Sequence, residues 1–93
     1  MPETKRYKIT CVGLVQGIGY RWFVQEAAQS AGISGSVRNL SNGAVEVEAQ
    51  GSAKEIDTFI LQLKTGHPRA RVEKIELLEL PPQNATAGFE IIF

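Results

Sequence analysis

Three glycines precede an arginine in the run Gly13-Leu14-Val15-Gln16-Gly17-Ile18-Gly19-Tyr20-Arg21. Glycine there lets the backbone adopt angles closed to other residues and turn amide N–H groups into a concavity, an anion nest that a following helix N-terminus reinforces. A phosphate-sized ligand suits that chemistry. Arg21 falls in the first turn of such a helix, where a cation opposes the macrodipole by about 0.3–1 kcal/mol unless an anion lies between them. Its planar fork can hold two phosphoryl oxygens. The bland reading of the same run is a glycine-containing connector with an exposed arginine. No Lys-Ser/Thr pair follows, as a Walker A loop requires, and position 22 is Trp22 where a dinucleotide fingerprint needs glycine. The NTPase and Rossmann readings therefore fall away.

Asn39 is a second candidate, because a carboxamide donates and accepts without titrating and can orient a water; its bland role is to cap turn backbone. Asn42 needs no chemistry, since Gly43 after it makes an Asn-Gly hairpin turn. His67, between Gly66 and Pro68, could serve as a base or phosphoryl acceptor but reads as part of a connector. Cys11 shares an apolar face with Tyr7 and Ile9, has no sequence-defined His partner, and reads as core packing. No compact His/Asp/Glu cluster demands a metal.

The elements that must position these residues follow from periodicity. Residues 6–13 alternate as a strand, with Arg6, Lys8 and Thr10 opposite the apolar face. Phe23, Ala27 and Ala31, with Ala28 beside them, form a small-residue helical stripe that Gly32 ends. Residues 35–40 and 44–50 read as a hairpin in which Val45, Val47 and Ala49 face inward while Glu46 and Glu48 form a solvated face. Ser52-Ala53-Lys54-Glu55 is a capping box, and Ile56, Phe59, Ile60 and Leu63 mark the inner side of a second helix that Gly66 and Pro68 close. Residues 71–80 form a strand in which Ile75 and Leu77 are out of phase with Val72, so a bulge or two-sided burial is allowed. Pro81-Pro82 ends it, and residues 89–93 supply a last strand with Phe89, Ile91 and Phe93 on one face. The order βαββαβ plus a short strand implies an α/β (α+β) ferredoxin-like, split βαβ sandwich, with two helices on one face of a mainly antiparallel sheet.

Ninety-three residues provide for one domain, 1–93, with a single core. Ten Lys plus Arg balance ten Asp plus Glu, so no net charge draws the chain to nucleic acid or anionic lipid. A lone cysteine, no signal-like apolar run and no membrane-length segment imply a cytoplasmic protein. Asn84-Ala85-Thr86 matches a glycosylation pattern that stays unused there.

The glycine run, together with Gly35-Ser36-Val37-Arg38-Asn39-Leu40-Ser41-Asn42-Gly43-Ala44-Val45, the later Gly51 and the closing Gly88-Phe89-Glu90-Ile91, resembles the signatures of the acylphosphatase family over nearly the whole chain. The resemblance implies hydrolysis of the carboxyl–phosphate anhydride of small acyl phosphates by direct attack of an oriented water. By motif match, Arg21 binds phosphate, Asn39 positions the water, and backbone amides of Gln16, Gly17, Ile18, Gly19 and Tyr20 cradle the phosphate. No metal or cofactor is implied. The expected partners are an acyl phosphate and inorganic phosphate, with neither nucleic acid nor membrane, and the chain is expected to act as a monomer. The departures are Ile18 for valine, Tyr20 for phenylalanine or methionine, and Ser36 for an aromatic residue, which put local rigidity and rate in question before reaction class. The different-class alternative is a non-catalytic, anion-responsive binding domain. RNA binding is a weaker alternative, because Glu46 and Glu48 replace the basic, aromatic reading surface it needs.

Overall fold

The computed structural model describes residues 3–84 and 87–93, so Ala85 and Thr86 of the glycosylation pattern lie outside the described residues. Alternation carries β1 (Thr4–Leu14), whose Ile9 and Cys11 are wholly buried. After a loop come α1 (Tyr20–Ala31), β2 (Ser34–Asn39) and β3 (Val45–Ser52), then α2 (Ala53–Thr65), β4 (Arg71–Leu80) and β5 (Phe89–Ile92). The strands form one sheet in the order β4-β1-β3-β2-β5. β3 runs antiparallel to both β1 and β2, so β1 and β2 are parallel with β3 inserted between them; β5 adds to β2 in parallel. This is the expected split βαβ arrangement, with both helices packed on the sheet face that carries Ile9, Cys11, Val37, Val45, Val47 and Ala49.

The hairpin turn closes as its residues require. Leu40 N–H donates to Ala44 O, Gly43 N–H donates to Leu40 O, and the Asn42 carboxamide oxygen accepts from Ala44 N–H, with Gly43 at φ 93°. The loop is therefore a turn of three residues with a left-handed glycine, one residue longer than the two-residue form. Ser52 and Glu55 form the capping box of α2, and Ile56, Phe59 and Leu63 are buried below it with Ile60 partly covered. The phase break in β4 is a bulge. Val12 pairs with Lys74 but Gly13 with Val72, leaving Glu73 as the extra residue and returning Val72 and Ile75 to one side.

Two expectations need correction. The buried line of α1 is Tyr20, Val24 and Ala28; Phe23, Ala27 and Ala31 are half-buried and face the α2 residues Thr58 and Gln62 across a groove. The helix touches two neighbours, and of the three aromatic residues in its first turn Tyr20 goes to the core, Phe23 is half-buried towards α2 and Trp22 is exposed. The face opposite the helices is not a row of solvated carboxylates either. Arg6, only 6% exposed, donates to Glu48 at 2.6 Å and to Gln50 at 3.3 Å, and Arg38 donates from Nε and Nη2 to Glu46 at 3.0 and 2.9 Å. Arginines on neighbouring strands neutralise the acids, which cross-strand register alone brings about. Ser36 lies on this same open face, so its small side chain costs cover there and not core packing.

Tyr20 also explains how a hydroxyl is tolerated near the centre of the core. Its single proton goes to the Leu63 carbonyl at 2.7 Å, in the last turn of α2 where carbonyls lack helical partners; the Cys11 sulfur at 3.9 Å is the weaker neighbour. Burial pushes the phenol well above its ordinary pKa and raises the Cys11 thiol as well, so both stay protonated and Cys11 is no nucleophile. Tyr20→Phe should leave the Leu63 carbonyl without that donor and destabilise the fold by about 1–2 kcal/mol, read as a lower urea midpoint at unchanged slope. An unchanged midpoint would show that the hydroxyl contributes no net stability.

Candidate active site

Because β1, β2 and β5 are mutually parallel, their carboxyl ends emerge on one edge of the sheet. The glycine loop leaves β1 there, Asn39 is the last residue of β2, and Ile91 and Phe93 lie at the end of β5. An open cavity of about 290 Å³ occupies that edge, lined by Gly17, Gly19, Arg21 and Asn39, with walls of Val15, Tyr20, Trp22, Ile91 and Phe93. Topology alone brings residues from three separate stretches of the chain into one depression.

The two helix starts are built differently. α2 satisfies its first amides with its own Ser52 and Glu55 side chains, whereas α1 begins after Gly19 with no side-chain cap and no acidic residue in its first turn. Helix geometry leaves the leading N–H groups of α1 without intrahelical acceptors, and they open beside the cavity with the positive end of the dipole behind them. Gly17 and Gly19 hold φ of 77° and 75°, and a Cβ on either would meet nothing within 4 Å. Backbone angle, not crowding, requires glycine at both positions, and the space beside them is open to a ligand.

Arg21 is half-buried at the rim. Its Nη1 donates to the Ile92 carbonyl at 3.4 Å and its guanidinium lies 4.9 Å above the centre of the Phe93 ring, a seat that restrains the fork while its other donors meet no acceptor among the described residues. Asn39 is exposed and lines the same cavity. The arrangement offers oriented amides, one planar cation and one neutral donor–acceptor side chain around a single depression, a set matched to a dianionic phosphoryl group and a water beside it. Among the described residues no cluster of three or more His, Cys, Asp or Glu could hold a metal ion.

Comparison with known proteins agrees with this geometry. The acylphosphatase family model matches residues 7–91. The chain belongs to the acylphosphatase family. An acylphosphatase of Chlorobaculum tepidum is 41% identical over 95% of this chain and 96% of its own, and one of Koribacter versatilis is 40% identical over 96% of this chain and 79% of its own. The crystal structure of acylphosphatase from Bacillus subtilis superposes with a TM-score of 0.90 at 32% identity, covering 96% of this chain and 99% of that one.

Within this acylphosphatase family member, the residues singled out from the sequence divide into two groups. Gly17, Gly19, Tyr20, Arg21 and Asn39 line the cavity; Gln16 and Ile18 do not. Ile18 packs against the core, and the Gln16 carboxamide spans from the loop to the hairpin, donating to Leu40 O at 2.8 Å and Ala44 O at 2.9 Å. That strut joins the glycine loop to the turn that follows Asn39, a side-chain role the motif did not reveal. Tyr20 borders the cavity, but its ring and hydroxyl belong to the core. The arginine seat formed by Ile92 and Phe93 was also not legible. Alternation puts Phe93 on one face with Phe89 and Ile91, whereas β5 ends at Ile92 and Phe93 is 96% exposed beneath Arg21.

Proposed function

We propose that this protein hydrolyses small acyl phosphates to a carboxylate and inorganic phosphate, the reading that its family membership and the cavity shared by Arg21, Asn39 and the uncapped start of α1 support together. In this scheme the phosphoryl group rests on backbone amides of the 16–20 loop and on the fork of Arg21. Asn39 holds a water in line with the carboxylate leaving group. The water oxygen bonds to phosphorus as the phosphorus–acyl oxygen bond breaks; the electron pair leaves on the carboxylate, and the water's proton passes to a nonbridging phosphoryl oxygen. A carboxylate is a weak base, so no general acid is required, and the donors supply charge stabilisation as the transition state forms.

We read residues 1–93 as one domain, since the five strands among the described residues share a sheet and the family match spans 7–91. No described helix is long and apolar enough to cross a membrane. The free, buried Cys11 fits a reducing compartment, and we place the protein in the cytoplasm on that ground. The zero net charge and the ion-paired open face support our reading of a protein that binds neither nucleic acid nor anionic lipid, and we read it as a monomer.

The decisive experiment is steady-state turnover of a simple acyl phosphate, corrected for spontaneous hydrolysis, with inorganic phosphate titrated against it. Competitive inhibition, with amide resonances of the 16–20 loop shifting on phosphate addition, is expected, and turnover should survive exhaustive chelation. Phosphate binding without turnover would make the protein an anion-binding domain. Activity lost on chelation and restored stoichiometrically by one ion would sink the metal-free mechanism.

A further inference from the structure

His67 lies in the connector between α2 and β4, but its ring is not idle there. One ring nitrogen, Nε2, is 3.1 Å from the Ile18 carbonyl oxygen, and the other, Nδ1, is 3.1 Å from the backbone nitrogen of Arg69. The Arg69 amide can only donate and the Ile18 carbonyl can only accept. Together they assign the tautomer: Nδ1 is bare and accepts, Nε2 carries the proton and donates to Ile18. The imidazole is also packed at 90° and 5.3 Å against Phe23 and lies 6.0 Å from the Tyr20 ring, so α1 holds its plane from the side.

The bonded carbonyl belongs to the Ile18–Gly19 peptide, in the middle of the glycine loop. A trans peptide is planar, with its C=O and N–H pointing to opposite sides. Holding the Ile18 oxygen towards His67 therefore fixes the direction of the Gly19 N–H, and Gly19 lines the cavity with Arg21 and Asn39. The next peptide is anchored too, since the Gly19 carbonyl accepts from Phe23 N–H at 3.1 Å. Glycines at 17 and 19 impose little conformational restraint of their own, so a donor from outside the loop adds a restraint on this peptide that its own residues do not supply.

We infer that His67 is a positioning residue of the phosphate loop, fixing the Ile18–Gly19 peptide through its Nε2–H so that the Gly19 amide is presented to the phosphoryl group. The inference rests on reading that loop as the phosphate cradle. His67 touches no reacting atom; it acts through Gly19.

Two substitutions separate the donor from the ring. His67→Phe keeps an aromatic body against Phe23 but removes the proton, while His67→Gln supplies an amide donor without the ring. Inorganic phosphate is titrated into each protein while the Gly17 and Gly19 amide resonances are followed, and kcat and KM are measured with an acyl phosphate after the fold is confirmed. His67→Phe should weaken phosphate binding about tenfold, the worth of one well-placed hydrogen bond, with a smaller shift at Gly19 than at Gly17. His67→Gln should recover most of the loss. In the wild-type protein, long-range proton–nitrogen correlation should show Nε2 protonated and Nδ1 bare.

Wild-type phosphate binding in His67→Phe, or the opposite tautomer in the wild-type protein, would overturn the assignment; the second measurement needs no variant to fold. An equal loss in both variants would overturn it as well, leaving His67 a packing residue. If phosphate moves no loop amide in the wild-type protein, the cradle itself is wrong and this inference falls with it, an outcome distinct from failure at His67 alone.

Discussion

Arg21→Ala should lower kcat/KM for an acyl phosphate by about 10³-fold, the scale of a removed arginine clamp in phosphoryl transfer. Loss should appear in both phosphate affinity and kcat, because the guanidinium meets charge already present on the bound phosphoryl group and charge that spreads over its equatorial oxygens as the bond to the leaving carboxylate lengthens. Arg21→Lys should recover little. A lysine keeps the charge but loses the planar fork, and with it the geometry that lets one face lie over Phe93 while one arm reaches the Ile92 carbonyl. Fold stability should change little in either variant, since those two contacts are long or exposed. The check is kcat, KM and phosphate affinity on proteins whose unfolding midpoints match the wild type. Near-wild-type efficiency in Arg21→Ala would remove the arginine from the mechanism.

For Asn39→Ala the expected signature is a split: kcat falls by about 10²-fold or more, on the scale of one lost transition-state donor, while phosphate affinity stays within about twofold. The structure makes this a clean test. Asn39 is the last residue of β2, and the turn beyond it is held without its side chain, by Gln16 donating to Leu40 and Ala44 and by the Asn42 oxygen accepting from Ala44. Removing the carboxamide therefore leaves the hairpin closed. Asn39→Asp replaces the amide donor with a negative charge beside the phosphoryl site and should be at least as defective, with weaker phosphate binding as well. Single-turnover rates separate chemistry from binding, and hydrogen exchange at the 40–44 turn reports whether it opens. Wild-type single-turnover rates in both variants would show that Asn39 does not place the nucleophile. A parallel fall of rate and affinity with an opened turn would make its role structural.

Much of this architecture is written locally and can be read from the chain. The capping box at Ser52 and Glu55, the Asn42-Gly43 turn, the alternation of Val45, Val47 and Ala49 and the phase break in β4 each depend on residues a few positions apart, so spacing reveals them. The glycine run and Arg21 are likewise contiguous, and Asn39 is legible through its motif. What sequence misassigned has a common cause. Whether Tyr20 or Phe23 turns to the sheet depends on which neighbour each side of α1 meets, and whether Glu46 and Glu48 stay solvated depends on arginines that register sets opposite or beside them.

Residue types and local spacing specify the chemistry on offer: a flexible amide-rich loop, a bidentate cation and a neutral carboxamide, with elements of the right kind and order. That these groups meet is a property of the assembled sheet. The parallel run of β1, β2 and β5 gathers their ends at one edge, and contacts spanning much of the chain then set orientation: Gln16 to the hairpin, Arg21 to Ile92, His67 to Ile18. Short-range periodicity is enough to specify a strand or a helix, because backbone geometry repeats every two or 3.6 residues. The direction of a single peptide or guanidinium depends on one distant partner, and nothing in a periodic pattern records which partner that is.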